Sequence, residues 1–174
     1  MSDILRVIKE RRSIRKFQTK VPSEEDLRKI LEGGRWAPSG LNNQPWRFLV
    51  IKDTRQKDDI AQFTKYASVI KRAPLLIVVC MSAKESYNRD KDLMAIGASI
   101  QNMLLAAYSL GLGSCWLGEI LNKKEALAEF LELKKDLEIL AVIALGYPDE
   151  EPTRRDRKPL EDLIIMSKLK PEEK

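Results

Sequence analysis

The chain has 174 residues, a net charge of +5 from 31 Lys and Arg against 26 Asp and Glu, and no histidine. That length suits one domain, residues 1–174, with a substantial core, and 44% hydrophobic with 33% charged residues is the balance of a soluble globular protein. Without histidine, Ser-His-Asp and Cys-His catalysis, His-ligated metals and imidazole acid–base chemistry are excluded, so an enzyme of this composition borrows its chemistry.

The N-terminus, MSDILRVIKERRS, interrupts its apolar residues with charges and lacks the hydrophobic region of a secretory signal. It predicts a cytoplasmic protein. Ser2 can cap a first helix on which Ile4, Leu5 and Ile8 share a face, and RRSIRKF reads as a helix end running into extended chain. Pro22 and Ser23 open a second helix, with Ser23 as N-cap, Glu24, Glu25 and Asp26 in the positive first turn, and Leu27, Ile30 and Leu31 facing inward. Gly33 and Gly34 are expected to weaken its end.

APSGLNNQPW follows, residues 37–46, with two prolines, a glycine, a serine and three side-chain amides. A plain connecting turn rarely needs so many amides. WRFLVI, from Trp46, predicts a strand, and residues 55–71 a polar helix. LLIVVCM, from Leu75, predicts a strand buried on both faces, and is far shorter than the ~20 apolar residues of a membrane span. Residues 92–110 predict a long helix, apolar nearly all round and lined with small residues, which belongs in a core or at a subunit interface. GLGSCWLGEI comes next, then a helix over 123–131, a strand over 139–146, and YPDEEP before the basic run RRDRK. Helices and buried strands around a central sheet give an α/β or α+β class.

The positive charge is local. Residues 1–20 carry +5, Arg154 to Lys158 carry +3, and the remainder is negative. Nucleic-acid surfaces spread Lys and Arg along a face, whereas these clusters are short and rich in arginine, whose planar fork suits a phosphate. Brought together they would bind a small phosphorylated molecule; apart they are solvated patches. GLGSCW begins like a dinucleotide fingerprint but places Trp116 at the third glycine position, so that reading fails. Cys80 and Cys115 have no CxxC spacing and predict neither a zinc site nor a disulfide.

RRSIRKF, APSGLNNQPW, GLGSCWLGEI after a long apolar helix, and a basic cluster before Pro159 stand in the order found in the FMN-dependent nitroreductase family, which this chain resembles over nearly its whole length. The resemblance implies an α+β, nitroreductase-like fold with a central mixed or antiparallel sheet flanked by helices, and a homodimer with FMN at the interface. Arg11, Ser13, Arg155 and Arg157 would hold the FMN phosphate, with Arg12 nearby and Arg15 toward the pyrimidine end of the isoalloxazine. Pro38, Ser39, Gly40 and Asn42 would come from the partner subunit; Trp116, Leu117 and Gly118 would offer main-chain N–H groups along the flavin edge. Longer relatives carry an acidic residue where Leu117 stands.

The implied activity is ping-pong reduction of a nitroaromatic, quinone or related small acceptor by NADH or NADPH. The flavin carries the chemistry, so no catalytic side chain and no metal are expected. A flavoprotein of the same fold with reductive dehalogenation, flavin breakdown or no turnover is the alternative; nucleic-acid and membrane partners are not expected. The short ESYNRD segment before the long helix predicts an open flavin face and broad substrate choice.

Overall fold

The computed structural model describes residues 3–152 and 156–165. Ser2, the expected N-cap, and Arg155, an expected phosphate ligand, lie outside them.

Among the described residues four strands form one antiparallel sheet: β1 (Trp46–Ile51), β2 (Leu75–Ser82), β3 (Gly113–Leu117) and β4 (Leu137–Gly146), in the order β1-β2-β4-β3. The two central strands are the two continuous apolar runs, and from Leu75 to Ser82 every residue of β2 is buried. Alternation then sorts side chains to two faces. Leu76, Val78, Val142 and Ala144 pack with Cys115, Leu117, Ile60, Ile70 and Leu127, beneath α3 (Thr54–Ile60), α4 (Ala67–Arg72) and α6 (Lys124–Phe130). Leu75, Ile77, Val79, Ile143 and Leu145 pack with Leu27, Ile30, Ile96, Ile100 and Met103 of α2 (Glu24–Arg35) and α5 (Arg89–Ser109). Both cysteines are free and buried.

α2 starts as its sequence requires: Ser23 Oγ accepts from Asp26 N at 3.0 Å. It does not weaken at the glycine pair but continues to Arg35. The reason is packing, since a Cβ on Gly34 would stand 2.8 Å from Met103 Cγ, so the glycine lets α2 close on α5. The polar segment after β1 forms two short helices, α3 and α4, rather than one. GLGSCWLGEI contains β3, an edge strand that its glycines and serine conceal in the sequence.

The first helix, α1 (Asp3–Glu10), is amphipathic as expected, yet Ile4, Leu5 and Ile8 are 63%, 52% and 48% exposed. Its apolar stripe finds no cover within the described chain. After it, residues 11–17 run extended along the free edge of β3: Ser13 bridges Ser114 in parallel, Ile14 N donates to Ser114 O at 3.0 Å, and Phe17 bridges Pro148. This arm places the basic N-terminal cluster. No helix among the described residues is long and apolar enough to cross a membrane.

Candidate functional site

The arm along β3 brings four of the predicted residues to one place. Arg11, Arg12, Ser13 and Arg15 surround a pocket of about 220 Å³, joined by Glu150, Pro152 and, from the late basic run, Arg157. Residues nearly 150 positions apart therefore meet.

The pocket is electrostatically unbalanced. Arg11 is half-buried, its Nε has no hydrogen-bond partner among the described residues, and burial together with the Arg12 and Arg157 guanidinium groups lowers its pKa. Clustered, partly desolvated cations are costly unless an anion joins them. Arg12 is committed otherwise: its Nη1 donates to Lys9 O at 2.5 Å and Arg11 O at 2.8 Å, closing the C-terminal end of α1. The Arg15 side chain is exposed, and its Nη1 makes a long contact, 3.4 Å, to Ser13 O.

Glu150 was not singled out in the sequence. Its Oε1 accepts from Arg15 N at 2.5 Å and Lys16 N at 3.1 Å, so a resident carboxylate pins the arm from within the cationic pocket. Its only signal was its place in YPDEEP, immediately before the basic run. A larger cleft of about 1150 Å³ adjoins, between α1, Tyr108 and Ser109 at the end of α5, and Pro148 to Pro152. The smaller pocket is the better anion site, because Ser13, Arg15 and Arg157 line it and not the cleft.

Trp116, Leu117 and Gly118 lie at the other end of β3, roughly 10 Å from Ser114 at the strand's rise of ~3.3 Å per residue. Leu117 is buried, so it can present only main chain outward; Trp116 is 43% exposed, and nothing stands within 4 Å of where a Gly118 side chain would begin. Glu119 anchors this end, its Oε2 accepting from Thr64 Oγ1 at 2.6 Å and Lys65 N at 2.9 Å. The Thr64 and Lys65 hydrogen bonds hold its carboxyl below the usual range.

The amide loop stands elsewhere. Pro38, Ser39, Gly40 and Asn42 precede β1, on the sheet edge opposite β3. They also adjoin the first turn of α5, through Asn43 and Asp92, whereas Tyr108 and Ser109 of its last turn line the cleft that shares Arg11 and Arg12 with the arginine pocket. At 1.5 Å per residue the 21-residue helix spans about 30 Å. One copy cannot close this loop on its own arginine pocket. Within the loop Leu41, Asn42 and Gln44 have φ of 56°, 54° and 47°, and Leu41 is 85% exposed. Asn tolerates such a backbone; an exposed leucine held there is strained.

The sequence profile of the Nitroreductase family matches residues 8–65 and 62–147, which include the arm, the amide loop and β3. The chain belongs to the nitroreductase family. A provisionally named nitroreductase from Desulfovibrio desulfuricans, solved in complex with FMN, superposes with a TM-score of 0.92 at 42% identity, over 98% of this chain and 99% of that one. A protein of Archaeoglobus fulgidus provisionally named NADH dehydrogenase/NAD(P)H nitroreductase is 36% identical over 154 residues, 87% of this chain and 88% of its own. The NADPH-flavin oxidoreductase of Vibrio harveyi is 29% identical, over 91% of this chain but 71% of its own length. The nitroreductase fold expected from the motifs is therefore the observed one, with the sheet antiparallel throughout.

Proposed function

We propose that this nitroreductase is a homodimeric FMN oxidoreductase that passes electrons from NADH or NADPH to nitroaromatic, quinone or related small acceptors in two half-reactions. The observation that carries the reading is the pocket of Arg11, Ser13, Arg15 and Arg157, with an Arg11 Nε that has no partner among the described residues. Its donors and excess charge suit a phosphate dianion. FMN fits this donor set, since Trp116 to Gly118, exposed at Trp116 and Gly118, lie about a short polyol chain away along β3, and Gly118 leaves room for a flat ring. FMN binding by the Desulfovibrio relative and the NADPH-flavin oxidoreductase from Vibrio support the same assignment.

Bound FMN supplies the hydride and electron chemistry that no side chain of this histidine-free protein offers. Arg11, Ser13 and Arg157, with Arg155, bind the phosphate and fix the cofactor's position. Arg15 lies further along the arm, where its charge stabilises negative charge developing at the pyrimidine end of the ring. The main-chain N–H groups of residues 116–118 orient the ring edge. Pro38, Ser39, Gly40 and Asn42 come from the second copy and limit water on the other side. The distance between loop and pocket within one copy, and the uncovered Ile4, Leu5 and Ile8 of α1, support that assembly. Solvent supplies the protons, and the compartment is the cytoplasm.

The test is an absorbance spectrum of purified protein before and after anaerobic NADH or NADPH, followed by a quinone, with sedimentation to count copies. A flavin band that bleaches and returns on a two-copy particle is expected. Protein that stays colourless after incubation with FMN overturns the reading.

A further inference from the structure

Two adjacent asparagines in the amide loop face opposite ways. Asn42 is exposed, whereas Asn43 turns inward, its Nδ2 donating to Asp92 Oδ1 at 2.7 Å and to Glu85 O at 2.8 Å. Asp92 is completely buried near the start of α5. Its other oxygen accepts from Ser86 Oγ at 2.7 Å, Tyr87 N at 3.1 Å and Asn88 N at 3.2 Å. Every group facing this carboxylate is a donor. Burial pushes its pKa up, but the hydrogen bonds from Ser86, Asn43, Asn88 and Tyr87 outweigh burial and hold it low, so it stays an anion.

The same knot braces the loop's left-handed residues. Ser39 Oγ accepts from Gln44 N at 3.1 Å, closing the loop's base. The turn that Asp92 anchors carries Tyr87, whose hydroxyl stands 1.8 Å from where a Gly40 Cβ would be. Tyr87 thus lies directly against Gly40 backbone. Strained backbone persists only when its surroundings over-determine it, and these contacts supply the constraint.

We infer that Asp92 is the positioning residue for the flavin-facing loop, acting through Asn43 on one side and residues 86–88 on the other. The assignment deepens the FMN reading and rests on it. Asp92 touches no cofactor; it sets the shape in which Ser39, Gly40 and Asn42 meet the flavin of the second copy. Because that loop faces the ring and not the phosphate, loosening it weakens every flavin equally, whereas damage at the arginine pocket weakens only the phosphorylated one.

The experiment titrates FMN and riboflavin into full-length protein stripped of flavin, comparing wild type with Asp92→Asn, Asn43→Ala and Arg11→Ala. In Asp92→Asn the charge is lost, and an amide N–H faces one of the four donors unless Ser86 or Asn43 turns to accept it. Asn43→Ala cuts only the loop-side link and leaves Asp92 its other three partners, so it carries the test if Asp92→Asn fails to fold. Loss of about tenfold for both flavins alike, the cost of one buried charge-assisted contact, is expected for the loop variants, with the FMN-to-riboflavin ratio falling only in Arg11→Ala. Wild-type riboflavin affinity in Asn43→Ala, or a loss confined to FMN, overturns the inference. Wild-type protein that binds neither flavin sinks the FMN reading itself.

Discussion

Ile14 lies so close to Gly113 that a Cβ on the glycine would stand 2.8 Å from Ile14 Cβ. Ile14 is buried and its N–H is bonded to Ser114 O, so neither side can retreat without moving the arm. Gly113→Ala therefore displaces Ser13 and Arg15, which flank Ile14. Overpacking costs about 1–3 kcal/mol, and the expected result is a lower melting temperature with FMN loosened by more than tenfold. A variant that melts lower yet binds FMN like wild type would separate the arm from the site.

Arg11→Met is expected to have opposite effects on binding and on stability. It removes a half-buried cation repelled by Arg12 and Arg157, so the flavin-free protein should melt no lower than wild type. FMN should bind roughly ten- to hundredfold more weakly, the worth of a hydrogen bond to a charged group. Arg157→Ala should share the binding loss. Calorimetry with and without FMN checks both, and a variant whose FMN-dependent stabilisation is intact contradicts the phosphate assignment.

Glu150→Gln keeps an oxygen to accept from Arg15 N and Lys16 N but removes a negative charge from the pocket. FMN should bind a few-fold tighter at low salt, and the gain should shrink as salt screens it. Weaker binding at every salt concentration would mean that Glu150 is needed chiefly as a brace.

Glu138 gives a pH signature of the scaffold. Arg89 and Lys124 each reach it at 2.5 Å. The Arg89 hydrogen bond, with burial opposing and Lys124 reinforcing, holds its carboxyl at about 2 against an ordinary 4.5. A carboxyl with a depressed folded pKa stabilises above its unfolded value and loses that contribution as pH falls through the folded one. Glu138→Gln should thus cost about 1 kcal/mol at neutral pH, allowing for partial solvent screening. The gap to wild type should close between pH 4.5 and 2. Denaturant melts at pH 7, 4 and 2.5 test this, and a gap independent of pH rules out the ion pairs.

Much of this was legible in the chain. Continuous apolar runs gave β2 and β4, and Ser23 and the acids after it gave the start of α2; the two arginine clusters stand out in the chain, but only the fold brings Arg11 and Arg157 to one pocket. What escaped notice depends on neighbours distant in sequence. β3 carries glycine, serine and a half-exposed tryptophan because it is an edge strand partnered by the arm, so no alternation marks it. Asp92 resembles any acid in a helix's first turn, and only the fold brings Asn43 to it. Gly34 read as a helix breaker because Met103, which fills the space it leaves, is 69 residues away.

The span of α5 has a genetic consequence under the proposed assembly. A lesion in the amide loop and a lesion in the arginine pocket strike different halves of each cofactor site, because they sit at opposite ends of that rod. Mixed particles carrying one of each would hold one doubly damaged centre and one wholly intact. Two inactive preparations, unfolded and renatured together, should regain colour that neither shows alone.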